Sequence, residues 1–510
     1  MGAENARLNL SHIVEGHAPE RVALISRNRP TTYSELVDQI AQLRGGLAGI
    51  GIGVGDRVGI VCGNTRHFVI TYLATIGIGA IAVPLNPTSP ALELRRELEV
   101  IEPSVIVCEP HSAGVLAQLE SGLPAGVHKL VVTEGQPPEG WSTLDDLLTA
   151  DPVHVVDVEP DTVAVMMFTS GTAGAPRAAM LSHGNLHSNI LQSRASPVHT
   201  EADDVVYGVL PLFHIYGLNV LLGASLAAGA TIVLVQRFDP ATAADSILSR
   251  RVTVLPGAPP MWIAFADFDE LAPDTFATVR IAGSGAAKLP VRVAERMRDR
   301  FGLWVHEGYG LTEASPVVTS SSALGEQPRF GSVGRALPGV EVRVVNEHGD
   351  DALVGDTGEI HVRGPNVFLG YYRDPDTTAR VLDADGWLHT GDVATVDDDG
   401  WLYLVDRAKD LIIVSGFNVF PAEVEQVLTM HPAVAEVGVI GVPHPHHGEA
   451  VKAYVALEPG TDVDEDTLIE FCMDHLARYK CPSKIIFVDE LPRNISGKLL
   501  RRHLGDTVLD

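Results

Sequence analysis

Cysteine is scarce. The 510-residue chain has four, Cys62, Cys108, Cys472 and Cys481. That is too few to staple a protein of this size, and no CxxC spacing offers a structural zinc site. A reducing, cytoplasmic setting is expected. Positive charge is also in deficit, with 37 Lys and Arg against 65 Asp and Glu and a formal net charge of −28. Such a field disfavours nucleic acid as a partner, and any anionic ligand must be held by local dipoles and a few placed cations. Glu4, Arg7 and Glu15 interrupt the apolar run of a secretory leader, so none is expected. The terminal Thr507-Val508-Leu509-Asp510 is not a peroxisomal address. Residues 205–236 lack Asp, Glu, Lys and Arg, yet Pro211, His214, Asn219 and several glycines break the run. It reads as strand, loop, buried helix and strand, so no transmembrane span is expected. Peripheral contact with a membrane and assembly as a homodimer are both compatible with the sequence.

What is present is a large folded chain with many turns: 45% hydrophobic residues, 49 Gly and 33 Pro. Short apolar runs alternate with helical patterns. Residues 22–26, 57–62, 82–85 and 105–108 read as strands; 64–78 and 88–100 read as helices. Thr32 and Glu35 have the spacing of a capping box and open a helix to about Leu47. This β-α-β order predicts a parallel sheet covered on both faces, an α/β fold. Near Asp399-Gly400 the texture changes. Strands at 401–405, 411–414, 434–442 and 451–457 and helices at 422–430 and 465–478 predict a compact α+β unit, bounded at 406–410.

The sharpest local signal is Phe168-Thr169-Ser170-Gly171-Thr172-Ala173-Gly174-Ala175-Pro176-Arg177, after an apolar strand at 163–167 and before a helix starting near Ser182. Glycines let backbone N–H groups approach an anion, and hydroxyls add donors. The string suits a phosphate cradle, although it is not the GxxxxGK[ST] pattern of P-loop NTPases. It resembles the nucleotide loop of the adenylate-forming superfamily, which includes acyl-CoA synthetases, luciferases and peptide-synthetase adenylation domains. Further matches follow in order: Pro211 to Gly217 (PLFHIYG), Gly308 to Glu313 (GYGLTE), Thr390-Gly391-Asp392, Asp406 to Asp410 (DRAKD) and Pro492 to Lys498 (PRNISGK). Any one is weak; six in order over nearly the whole chain are specific.

The resemblance implies a large N-terminal domain, residues 1–406, with doubly covered sheets and a small β-subdomain. A small mobile α+β domain, residues 407–510, would swing about a hinge at Lys409. It also implies an acid–thiol ligase of two half-reactions. A carboxylate attacks the α-phosphorus of ATP, expelling pyrophosphate; the thiol of coenzyme A then attacks the acyl carbon, expelling AMP. Lys498 would neutralise the two anions as they meet. Glu313 would hold Mg²⁺ on the phosphates, Thr312 would donate to the α-phosphate, and His214 would lie near the reacting carboxylate. Thr169, Ser170, Gly171, Thr172, Gly174 and Arg177 would line the phosphate loop. Gly285 and Ala286 would make an adenine wall and Tyr309 a flat face for the ring. Asp392, with Arg407, would bind the ribose, and Gly416 would pass close to the pantetheine arm. Taken one by one, Lys498 reads equally as a solvated lysine, Glu313 as a surface cap and His214 as a core histidine.

One departure stands out. The family's loop ends Pro-Lys-Gly, whereas this chain has Pro176-Arg177-Ala178. The charge is kept, but a planar fork replaces a point charge. Peptide-synthetase relatives place an Asp where His214 stands, to pair an α-ammonium; no acid occurs in 205–236, and neither 211–217 nor 255–262 has a Lys or Arg for a second carboxylate. A neutral tail is expected. Small residues at Gly257, Ala258, Gly285, Ala286 and Ala314 leave room for an acyl chain, which favours a medium- or long-chain fatty acid. The rivals are an aryl, coumarate-like acid, an acyl-AMP ligase loading a carrier protein, and a non-catalytic acyl or nucleotide binder.

Overall fold

The computed structural model describes residues 8–119, 123–169, 176–407, 412–414, 417–444, 448–476, 478–493 and 499–504. The chain divides into two compact units, one of residues 1–341 and 362–388, the other of 342–361 and 389–510.

The first unit is built on two large sheets. One has nine strands, with parallel neighbours through Ile281–Ser284, Val254–Gly257, Val205–Gly208, Thr231–Leu234 and Val22–Ser26 and antiparallel edges. The other has eight, parallel through Ile81–Pro84, Arg57–Val61, Val105–Cys108 and Lys129–Val132. The strands Ile81–Pro84 and Val105–Cys108 are buried at every position, as strands covered on both faces must be. The sequence-predicted α/β arrangement is therefore observed. The capping box also forms: Thr32 Oγ1 accepts the Glu35 N–H at 3.2 Å and Glu35 Oε2 accepts the Thr32 N–H at 2.8 Å.

The uncharged stretch folds as strand Val205–Gly208, a π-helical segment Tyr216–Gly223 running into helix Ala224–Ala228, and strand Thr231–Leu234. Gly217 suits the tight start, since a Cβ there would strike the Pro211 carbonyl. Among the described residues no helix is long and apolar enough to cross a membrane.

The second unit carries most of a four-stranded sheet ordered Glu341–Val345, Gly358–Arg363, Leu388–Val396, Leu402–Arg407. It also carries a sheet in which Gly448–Leu457 pairs antiparallel with Val434–His444 and parallel with Lys484–Phe487. Helices Pro421–Leu428 and Glu465–His475 cover this second sheet, with Val424, Leu428, Val439, Val455 and Leu468 fully buried between them. Helix Glu465–His475 stops three residues before the expected end, where Leu476 turns extended at ψ 153°.

Candidate active site

The phosphate-loop signal sits on a hairpin. Strand Val163–Thr169 runs antiparallel to strand Arg177–Ser182, with Thr169 opposite Arg177 and Phe168 opposite Ala178. The helix expected near Ser182 is observed there, and between it and the loop lies a strand, Arg177–Ser182, that the sequence pattern does not predict. Helix His183–Arg194 then starts with Ser182 as its cap, Ser182 Oγ accepting the Asn185 N–H at 3.0 Å. No helix N-terminus therefore follows the loop directly. Ala178 lies inside the strand and is almost fully buried, so it needs no positive φ. Ser170, Gly171, Thr172 and Gly174 lie outside the described residues.

A third strand, Gly370–Tyr371, pairs antiparallel with Arg177–Ser182, placing Tyr371 opposite Ala179. From it the Tyr371 hydroxyl donates to Glu313 Oε1 at 2.7 Å. Burial, then the Glu313 charge, pushes the Tyr371 phenol up, so it stays a donor. Three residues on, Asp374 Oδ2 lies 3.3 Å from Arg177 Nε. Residues 371–374 thus touch both the acid and the cation that the sequence assigns to phosphate handling. The pattern of the Glu313 region gives no sign of Tyr371, 58 residues away.

Glu313 sits on a single turn, Thr312–Ala314, after strand Val305–Gly310. Its position is tightly held. Phe368 N–H donates to the Glu313 carbonyl at 2.9 Å, and Asn366 Nδ2 donates to the Ala314 carbonyl at 2.8 Å. Asn219 Nδ2 donates to the Ser315 carbonyl at 2.7 Å. Gly310 is required by close approach, because a Cβ would strike the Pro316 carbonyl. The donors here, a carboxylate with one oxygen engaged by Tyr371 and the Thr312 hydroxyl, are hard oxygen groups that fit Mg²⁺. Tyr309 is buried on the same strand. So is Glu307, whose Oε2 accepts the Leu289 N–H at 3.0 Å; burial raises its carboxyl to about 7.

The expected adenine wall follows strand Ile281–Ser284, with Ala286 in the left-handed region at φ +71°. The Tyr216 ring lies against Gly285, where a Cβ would come within 3.0 Å of it. Trp262 Nε1 donates to the Gly283 carbonyl at 3.2 Å, and the Met261 methyl fills the place a Cβ would take on Gly257. The space that small residues open here is thus occupied in part by Tyr216, Met261 and Trp262. The loop carrying His214 hangs on Asn64, a residue sequence reasoning missed. Its Nδ2 donates to the Gly208 and Leu210 carbonyls, both at 2.9 Å, and its Oδ1 accepts the Leu212 N–H at 3.0 Å. The Tyr216 N–H donates to His214 Nδ1 at 3.3 Å. Accepting there leaves the proton on Nε2 in the neutral ring.

In the second unit, Asp392 is buried on strand Leu388–Val396 and pairs through the backbone with Arg407. Its N–H donates to Thr390 Oγ1 at 3.1 Å, and the Gly391 N–H donates to Glu359 Oε1 at 2.9 Å. Lys409, Gly416 and Lys498 lie outside the described residues.

A protein-family model described as AMP-binding enzyme matches residues 11–372, and one described as AMP-binding enzyme C-terminal domain matches residues 423–498. A (7a-methyl-1,5-dioxo-octahydro-1H-inden-4-yl)propanoyl:CoA ligase from Rhodococcus jostii is 37% identical, the match covering 93% of each chain. A feruloyl-CoA synthase from an Amycolatopsis species is 36% identical over 95% of each. A long-chain-fatty-acid–CoA ligase from Bacillus subtilis is 33% identical, over 95% of this chain and 91% of that one. Among solved structures, ATP-bound MatB from Rhodopseudomonas palustris superposes with a TM-score of 0.90 at 34% identity, covering 98% of this chain and 99% of that one.

Proposed function

The chain belongs to the AMP-binding enzyme family and is an AMP-forming carboxylate–CoA ligase with ATP and CoA as substrates, and from that premise we propose that its acid is a compact, ring-bearing monocarboxylate. The observation that carries this reading is the filling of the small-residue space by Tyr216, Met261 and Trp262. A straight fatty chain needs a deep slot; a ring needs a short, flat one with aromatic walls. The absence of Asp, Glu, Lys and Arg from 205–236 argues against an amino acid or a dicarboxylate. Two relatives whose names specify ring-bearing acids, the feruloyl-CoA synthase and the indenyl-propanoyl:CoA ligase, support it. The long-chain-fatty-acid–CoA ligase keeps the fatty-acid reading as its rival.

The roles follow the residues. In the first step a carboxylate oxygen bonds to the α-phosphorus and pyrophosphate leaves. Arg177 and the loop hydroxyls hold phosphate oxygens, Thr312 donates to the α-phosphate and Lys498 offsets the combined negative charge. Bound to Glu313, Mg²⁺ supplies charge neutralisation on the phosphates. Tyr309 and the Gly285–Ala286 backbone flank the adenine, while Asp392 and Arg407 take the ribose. His214, its Nδ1 held by the Tyr216 N–H, lies near the reacting acyl group. In the second step the CoA sulfur bonds to the acyl carbon and AMP leaves. Residues 407–510 turn about Lys409 between the steps, exchanging Lys498 for a thiol path beside Gly416.

The test is pyrophosphate release and acyl-CoA formation over a panel of cinnamic, ferulic, bicyclic-propanoic, octanoic, palmitic and malonic acids. The expected result is a kcat/KM at least about tenfold higher for a ring-bearing acid than for any straight chain, a difference one pocket can supply. Palmitate or octanoate leading the panel overturns the ring-acid reading and leaves the ligase assignment intact.

A further inference from the structure

The four-stranded sheet that carries Asp392 also holds, beside it, three partly buried side chains to which the roles above assign nothing. Strand Gly358–Arg363 alternates, with Ile360 and Val362 wholly buried and Glu359 and His361 on the other face. His389 comes from the neighbouring strand Leu388–Val396. The two imidazoles lie with centroids 4.0 Å apart and planes tilted by 31°, and His361 Nε2 lies 3.8 Å from Glu359 Oε2. One ligand atom from each of the three residues falls within 4.8 Å of the others.

We propose that Glu359, His361 and His389 form a binding site for a late first-row divalent cation of the Zn²⁺ class. Two imidazoles and one carboxylate are borderline-soft donors that select such ions over Mg²⁺, which takes oxygen ligands and keeps its water. The set is also supported from behind. Glu359 Oε1 accepts the Gly391 N–H at 2.9 Å, which aims Oε2 at the histidines. The Thr390 hydroxyl donates to the Ile360 carbonyl at 2.7 Å, tying together the two strands that carry the ligands. Such outer bonds orient ligands before the ion arrives. Ligand atoms around tetrahedral Zn²⁺ stand about 3.4 Å apart, so the three must draw closer together on binding. Solvent would fill the fourth position, reached past the Glu359 side chain, which is 33% exposed. All four cysteines are buried and offer no competing thiolate.

The experiment uses the full chain, stripped of metal and titrated with Co²⁺ while the visible d–d bands are recorded. The expected result is a saturable intense spectrum at one equivalent that Zn²⁺ abolishes and millimolar Mg²⁺ does not. His361→Ala and His389→Ala should each lose that equivalent. Glu359→Gln keeps an oxygen for the Gly391 N–H, which protects the fold, and should weaken Co²⁺ binding at least about tenfold, the cost of losing even an outer partner. Far-UV circular dichroism of each variant separates lost ligands from lost structure. A titration in which Glu359→Gln and a folded His361→Ala keep the wild-type stoichiometry and spectrum overturns the proposal and puts the metal on others of the 20 histidines.

Discussion

Tyr371 donates its hydroxyl proton to Glu313 at 2.7 Å, joining the third strand of the phosphate-loop sheet to the turn that carries the proposed magnesium ligand. The bond holds one carboxylate oxygen and leaves the other to a cation. Tyr371→Phe removes the donor with little change in shape. A hydrogen bond to a charged group is worth about 1.5–3 kcal/mol, so half-saturation by Mg²⁺ in pyrophosphate release should rise about tenfold or more. KM for the acid should stay put. An unchanged Mg²⁺ requirement would reduce Tyr371 to packing.

Arg177 stands at the end of the phosphate loop, and Asp374 holds its Nε at 3.3 Å. Arg177→Ala should raise KM for ATP about tenfold, the scale of one lost charge-assisted contact. Arg177→Lys should restore most of the loss. Asp374→Asn frees the guanidinium and should lower KM for ATP. Equal ATP affinity in wild type and Arg177→Ala would remove this residue from phosphate binding.

Asn64 makes three bonds to the loop between Gly208 and Leu212. Asn64→Ala strands the Leu210 carbonyl and the Leu212 N–H, each costing about 1–3 kcal/mol, while the Gly208 carbonyl keeps the Val235 N–H at 3.0 Å. The melting temperature should fall by several degrees, and KM for the acid should rise while KM for ATP changes little. Parallel rises in both KM values would point to general loosening instead.

Glu307 links acidity to stability. Burial raises its carboxyl from 4.5 to about 7, so the folded state favours the protonated form. The stability this contributes is full below about pH 4.5 and is lost as pH rises through about 7. The upper bound of the loss is about 3 kcal/mol. Glu307→Gln keeps an acceptor for the Leu289 N–H and removes the titration. It should melt above wild type near pH 8 and no higher near pH 5. Parallel melting curves for the two proteins across that range would exclude Glu307 as the titrating group.

Short-range information was legible in the sequence. Four-residue apolar runs such as Val105–Cys108 could be read as buried strands, and Thr32 with Glu35 as a cap, because strand periodicity and capping bonds span only a few residues. The ordered motifs carried the family and the reaction class, since each motif keeps its chemistry within about ten residues. The helix start near Ser182 was legible, but the strand Arg177–Ser182 before it was not, because its pairing with Val163–Thr169 is set by the hairpin and not by a local pattern. Contacts made across long stretches of chain were beyond reach as well: Tyr371 with Glu313, Asn64 with Leu210, and His361 with His389. Those pairs exist only because the tertiary fold brings distant strands, turns and loops side by side. For His361 and His389, on adjacent strands, side-chain alternation then decides that they share a face, and a shift of one residue in register would turn one of them away.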